Sequence, residues 1–233
     1  YGDAGNDTVR GGEGRDYIIL DGGDDVFYDE AQEGTLGRDT VIAGEGNDTL
    51  WGGGGDDFFY GGDGADEIHG GTGNDSVYAD GGQDLVFLNQ GDDFFHDTDP
   101  DRYGDGEEEI DANDTVYGGF GNDTIYGRGG DDRFFGEAGN DVISGGIGND
   151  ILNGGAGEDT LAGEEGRDSL TGGLGVDTFI FAAGDGEADL VTDFELDTDN
   201  LVLERLGTSE RTTFSYDSNA NEVTIYYGGD ATV

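Results

Sequence analysis

Gly145-Gly146-Ile147-Gly148-Asn149-Asp150-Ile151-Leu152-Asn153 divides into two unequal parts. The first six residues are glycine-rich and end on a carboxylate. Glycine turns through backbone conformations closed to other residues and brings carbonyl oxygens toward one point. The last three residues place one apolar side chain between two others, the pattern of a short strand. The unit recurs in both directions along the chain. Its aspartate falls at Asp7, Asp16, Asp25, Asp39, Asp48, Asp57, Asp66, Asp75, Asp84, Asp93, Asp114, Asp123, Asp132, Asp141, Asp150, Asp159, Asp168 and Asp177. Its apolar residue falls two places later each time, from Val9 and Ile18 to Leu170 and Phe179. Two units make one coil with a strand on each side. Alternate copies therefore predict two parallel sheets sharing a thin core: an all-β parallel β-roll, a two-sheet solenoid. Nine coils at roughly 4.8 Å spacing give a rod of about 40 Å.

Composition pulls the other way. The chain carries 56 acidic and nine basic residues, a net charge of -47, 50 glycines and a mean hydropathy of -0.58, which is the signature of a disordered chain. Random composition does not hold an aspartate and an apolar residue in phase through so many copies, so order wins. A conflict remains, because repulsion among the carboxylates opposes compaction and short strands bury too little apolar surface to offset ordering the glycines. Hard cations remove that conflict. Carboxylate and carbonyl oxygens, with no cysteine and two histidines, suit Ca2+ and argue against zinc, copper or iron–sulfur centres. A cage of flexible loop carbonyls also favours calcium over the smaller, stricter magnesium ion. Nonapeptides of this form are calcium-binding repeats, and the eighteen aspartates above are the expected ligands. One ion between like turns of adjacent coils allows at most about sixteen. The metal-free chain is expected to be disordered.

The repeats resemble the RTX (repeats-in-toxin) family, the haemolysin-type calcium-binding β-roll domains of secreted bacterial toxins, serralysin-type proteases, lipases, epimerases and adhesins. The resemblance covers residues 1 to 180. It implies that the first six residues of each unit form a calcium turn and the last three a strand. It further implies that each repeat aspartate bridges to an ion shared with the turn two repeats along, beside glycine carbonyls. Family members are exported unfolded, by type I secretion, from a low-calcium cytoplasm to a calcium-rich exterior, so the implied location is extracellular or at the cell surface. The lack of cysteine fits a chain stapled by metal rather than by disulfides.

Two interruptions break the phase, at about 29–38 and 97–113, and are expected to hang as loops from one edge of the roll. Residues 97–108 place oxygen ligands somewhat like an EF-hand loop, but Arg102 stands where that loop needs glycine. That segment reads as a solvated acidic loop. Leu20-Asp21, Ala79-Asp80 and Leu88-Asn89 replace the glycine pair, so the turns before Asp25, Asp84 and Asp93 are expected to bind weakly or to carry no ion. The repeat region is thus 1–181, and 182–233 reads as a C-terminal cap, because an open coil end exposes strand edges. Within it, Thr213-Phe214-Ser215-Tyr216 and Glu222-Val223-Thr224-Ile225-Tyr226-Tyr227 alternate about a turn, the pattern of a hairpin. The final Asp230-Ala231-Thr232-Val233 faintly resembles the family's acidic-plus-apolar export signal. Tyr1 falls inside a repeat, so the chain reads as the C-terminal part of something longer.

No catalytic centre is expected here. So many acids make any chosen carboxylate pair meaningless, and His69 and His96 stand far apart at outward strand positions. Chemistry, if the parent is an enzyme, is expected upstream. Outward rings form two stripes: Tyr28, Trp51, His69, Phe87, Tyr117 and Phe135 in one, and Tyr60, Tyr78, His96 and Tyr126, with Ile42, in the other. So much apolar surface outside a thin rod asks for a cover. The favoured cover is an upstream domain of the same polypeptide. The alternative is a glycan, as in an RTX adhesin or a polysaccharide-modifying enzyme such as a mannuronan epimerase. Nucleic acid is excluded by the charge, and membrane insertion of this segment by the absence of a long apolar run.

Overall fold

The computed structural model describes residues 1–29, 37–97, 112–182, 188–204 and 213–226. Every element among them is a strand, and the strands fall into two sheets of eleven and twelve. Strands from alternate repeats share a sheet. In the first, Thr40–Glu45 lies between Tyr17–Gly22 and Phe58–Asp63; in the second, Glu67–Thr72 lies between Thr49–Trp51 and Leu85–Gln90. All pairings between repeats are parallel and keep like positions opposite each other, as Phe134 opposite Leu152 and Leu152 opposite Leu170. The expected two-sheet parallel roll is the fold.

The strands are longer than the three residues the repeat suggests. Many run to six, as Ile151–Ala156 and Ser169–Leu174 do, because the glycine pair goes on pairing with the next coil, Gly155 opposite Gly173. Three-residue strands persist at Val26–Tyr28, Thr49–Trp51, Phe94–His96 and Thr124–Tyr126. The longer strands gain a second inward position, since side chains alternate with period two. The first inward position carries the apolar column, with Phe27, Leu50, Phe59, Ile68, Val86, Phe95 and Phe134 fully buried. The second carries a glycine in most copies and Leu20, Ala43, Ala79 or Leu88 in others, all with no exposure. Leu20 and Leu88, read from sequence as degenerate turn residues, are core. Burying each contributes roughly 1.5–3 kcal/mol.

The insertions do not shift the register. Ile18 sits opposite Val41 across the first, and Val86 opposite Val116 across the second. Most of both insertions, residues 30–36 and 98–111, lies outside the described residues, as do the EF-hand-like loop beyond Asp97 and the terminal Asp230–Val233. At the C-terminal end the parallel stack continues past residue 181. Asp189–Val191 extends the second sheet and Asn200–Glu204 the first. The expected hairpin follows as Thr213–Asp217 and Glu222–Tyr226, whose inner strand pairs antiparallel with Asp189–Val191. Val223 and Ile225 are buried against the last coil, and Tyr216 meets Phe194 edge-on at 6.4 Å. These contacts close the end of the second sheet.

Candidate metal centre

Each repeat aspartate stands at the end of a turn, just before a strand, where one carboxylate oxygen reaches back to the preceding coil. The Asp132 N–H donates to Asp150 Oδ1 at 2.9 Å, and the Asp150 N–H to Asp168 Oδ1 at 2.9 Å. The same bond joins all eighteen repeat aspartates into two ladders, one along each edge of the roll, at 2.7–3.2 Å. The ladders end on Asp189 and Asp199, which accept from Asp168 and Asp177. Neither belongs to the nine-residue grid.

The second oxygen is the unusual one. In sixteen of the eighteen, Oδ2 is buried with no hydrogen-bond partner, and the two exceptions, Asp7 and Asp177, belong to the first and last copies. An ionised oxygen shut away from water without a donor is costly enough that proteins normally neutralise or pair it. The first glycine of the pair shows what surrounds it. A Cβ built on Gly61 would lie 2.5 Å from Asp66 Oδ2 and 2.6 Å from the Ala79 carbonyl oxygen of the next coil. A Cβ on Gly52 would lie 2.7 Å from Asp57 Oδ2 and 2.5 Å from the Gly70 carbonyl oxygen. An orphaned carboxylate oxygen and a carbonyl oxygen thus converge beside a residue with no side chain to separate them. Oxygen donors in that arrangement fit a hard divalent cation.

A family model for the RTX calcium-binding nonapeptide repeat (4 copies) matches residues 1–28, 33–68, 60–95, 110–143, 126–161, 144–179 and 154–187. The chain belongs to the RTX family. No curated protein matches it.

The electrostatics of this RTX roll follow from burial. Desolvation is the largest cause at every affected repeat aspartate and outweighs the backbone N–H that each accepts. It pushes Asp48 up to about 6, Asp57, Asp66 and Asp150 to about 7, Asp75, Asp132 and Asp168 to about 8, and Asp84, with Asp114 beside it, to about 9. Carboxylates so placed gain most from a bound cation. Where an Asp or Asn precedes the repeat aspartate, that residue does the opposite. It faces water and forms an outer ladder of reversed direction, in which the Asn149 N–H donates to Asp131 Oδ1 at 2.8 Å and the Asn47 N–H to Asp24 Oδ1 at 3.0 Å. Asn149 holds Asp131, and Asn47 holds Asp24, below the usual carboxylate range.

The turns that lack a glycine pair keep the left-handed backbone of the second position, although Leu20, Ala79 and Leu88 put a side chain at the first. Asp21, Asp80 and Asn89 take the second glycine's place at φ 71°, 67° and 79°, a left-handed region that Asp and Asn tolerate. The aspartates that follow, Asp25, Asp84 and Asp93, are as buried as the rest and have the same orphaned oxygen. Beyond the repeat pattern, three carboxylates converge at two places, Asp16 with Asp29 and Asp39, and Asp84 with Asp97 and Asp114. Sequence reading missed Asp29, Asp189 and Asp199 as members of the acidic array, and weighed Asp97 only as the first ligand of an EF-hand-like loop.

The outward rings are where the sequence puts them. Tyr28, Trp51, His69, Phe87, Tyr117 and Phe135 stack face to face, with centroids 4.7–5.4 Å apart and planes within 15°. His69 also bonds Glu67 through Nε2 at 2.8 Å. On the other sheet Tyr60 stacks on Tyr78 at 5.2 Å, while His96 meets Tyr78 and Tyr126 at an angle.

Proposed function

We propose that calcium binding and folding of this RTX domain are one equilibrium. The observation that carries this reading is the row of buried, partnerless Oδ2 atoms. Left ionised without a cation they oppose the fold, and with calcium they become its ligands beside the glycine carbonyls. The ions lie between like turns of adjacent coils, at most about sixteen, and the eighteen repeat aspartates supply the charge. Adjacent coils share each ion, so filling one turn orders the next and the transition is cooperative. Such a domain stays unfolded in a low-calcium cytoplasm and folds outside. It serves as the folding, stability and secretion module of a larger secreted bacterial protein, whose own activity resides upstream. The ring stripe suits a cover by that upstream domain better than a glycan, because a sugar stacks on a ring face and these faces are taken by neighbouring rings.

The test is circular dichroism of the chain in chelator and through a calcium series. The expected result is a disordered spectrum in chelator and a β spectrum appearing steeply near millimolar calcium, the range of extracellular modules. A well-ordered β spectrum in chelator at neutral pH refutes the coupling.

A further inference from the structure

One oxygen each of Asp84, Asp97 and Asp114 lies within 4.8 Å of the others. All three residues are more than nine-tenths buried. Asp84 Oδ2, Asp97 Oδ1 and Asp114 Oδ2 are shut into the protein with no hydrogen-bond partner. Asp84 and Asp114 are repeat aspartates of neighbouring coils, joined by the Asp84 N–H to Asp114 Oδ1 at 2.9 Å. Asp97 is different. It stands four residues after Asp93, at the inward place held by Gly52 after Asp48 and by Gly61 after Asp57. The space beside those glycines is where a carbonyl oxygen and an orphaned carboxylate oxygen converge. Leu20 and Leu88 at that place join the apolar core, whereas Asp97 brings a third carboxylate to Asp84 and Asp114.

The arrangement recurs. Asp29 holds the same place after Asp25, converges with Asp16 and Asp39, and likewise stands at the start of an insertion, although its Oδ1 also accepts the Gly12 N–H at 2.8 Å. Asp193 supplies the contrast. It stands four residues after Asp189, but its two oxygens accept the Gly172 and Gly173 N–H groups at 2.9 and 2.8 Å. A carboxylate at that place therefore has a way to turn aside, and Asp97 keeps an oxygen in the cluster.

We propose that Asp84, Asp97 and Asp114 form a cation site of a second class, built from three carboxylates, which takes calcium more tightly than the repeat turns and prefers a trivalent lanthanide. The proposal rests on the calcium reading of the roll. Affinity at oxygen sites rises with the number of charged ligands. A divalent ion leaves this cluster with one net negative charge and a trivalent ion leaves it neutral. The bound ion also offsets the repulsion among three buried carboxylates. A proton shared within the cluster is the competing occupant, since burial and the neighbouring Asp114 carboxylate push Asp97 well above the usual carboxylate range.

The experiment is calorimetric titration of the 233-residue chain with calcium, followed by terbium, in the wild type, Asp97→Asn and Asp97→Gly. In both variants uptake in the tightest class should fall by one ion, with at least about a tenfold weaker site in its place, for calcium and terbium alike. The cooperative uptake by the repeats should persist. Both variants binding calcium and terbium with wild-type number and affinity overturn the site and leave a shared proton in the cluster, with calcium-coupled folding untouched. A wild type that takes up no calcium overturns the calcium reading and this site with it. If Asp97→Asn does not fold at any calcium concentration, Asp97→Gly decides, since it restores the residue that the repeat supplies.

Discussion

Asp150→Asn separates the two jobs of a repeat aspartate. The amide oxygen still accepts the Asp132 N–H that now reaches Oδ1 at 2.9 Å, and the side chain keeps its shape beside Gly145. What changes is Oδ2, buried and without a partner. Burial, with smaller contributions from Asp131 and Glu164, pushes this carboxyl up from 3.8 to about 7 against the pull of the Asp132 N–H. At neutral pH without metal the ionised group costs roughly 2–4 kcal/mol, which Asn removes. With metal the variant lacks a charged ligand and one ion's binding. At free calcium a hundredfold above that ion's dissociation constant, the lost contribution is about 2.7 kcal/mol, and it grows by about 1.4 kcal/mol for each further decade of calcium. Urea unfolding across a calcium series, each curve extrapolated to water, measures the difference. The stability lines of wild type and variant should cross, with Asn the equal or better residue at low calcium and the worse one at high calcium. Parallel lines refute the reasoning, because an offset that does not change with calcium means that Asp150 Oδ2 holds no ion.

Acid should fold the chain without metal. The repeat carboxyls with raised values bind protons more readily folded than unfolded, so between the unfolded 3.8 and the folded values of about 6 to 9 the native state holds more protons and stability falls as pH rises. In chelator, β structure followed by circular dichroism should therefore grow as pH is lowered from 8 toward about 4; a signal flat across that window contradicts the burial of these groups. Gly148→Ala tests coil stacking, because Gly148 has φ 149° and its Cβ would fall on the Gly130 carbonyl oxygen of the preceding coil. The variant should need more calcium to fold, by roughly tenfold or more, and a calcium midpoint within twofold of wild type refutes such close approach.

The nine-residue phase made most of the roll legible, because one spacing set both the carboxylate and the inward apolar residue in every copy. What stayed hidden was the reach of the strands. Treating each strand as three residues left the position four after each aspartate in a turn, so Leu20 and Leu88 read as defects. Period-two alternation, inward at Phe27, outward at Tyr28 and inward again at Asp29, carries the signal that places Asp29 and Asp97 in the interior. Asp189 and Asp199 were hidden for another reason. They follow Asp168 and Asp177 by 21 and 22 residues instead of eighteen, and no glycine pair precedes them. Only the apolar residues two places later, Val191 and Leu201, repeat the pattern.

The clasp between neighbouring turns takes no account of how much chain separates them. Asp84 and Asp114 are thirty residues apart, yet their bond at 2.9 Å matches that of Asp114 and Asp132, eighteen apart, at 2.8 Å. The outer ladder crosses the same gap, with the Asn122 N–H on Asp92 Oδ1 at 2.8 Å. Each turn takes one carboxylate oxygen from the next coil, and at turns such as Asp92 and Asn122 an N–H bond runs back as well, so the alignment of coils is written in the turns and not in the contour length of the polypeptide. The roll is therefore a rack with a free slot wherever a turn leads out of a strand, and foreign segments grafted between Asp97 and Asp114 should leave the coils on either side in step.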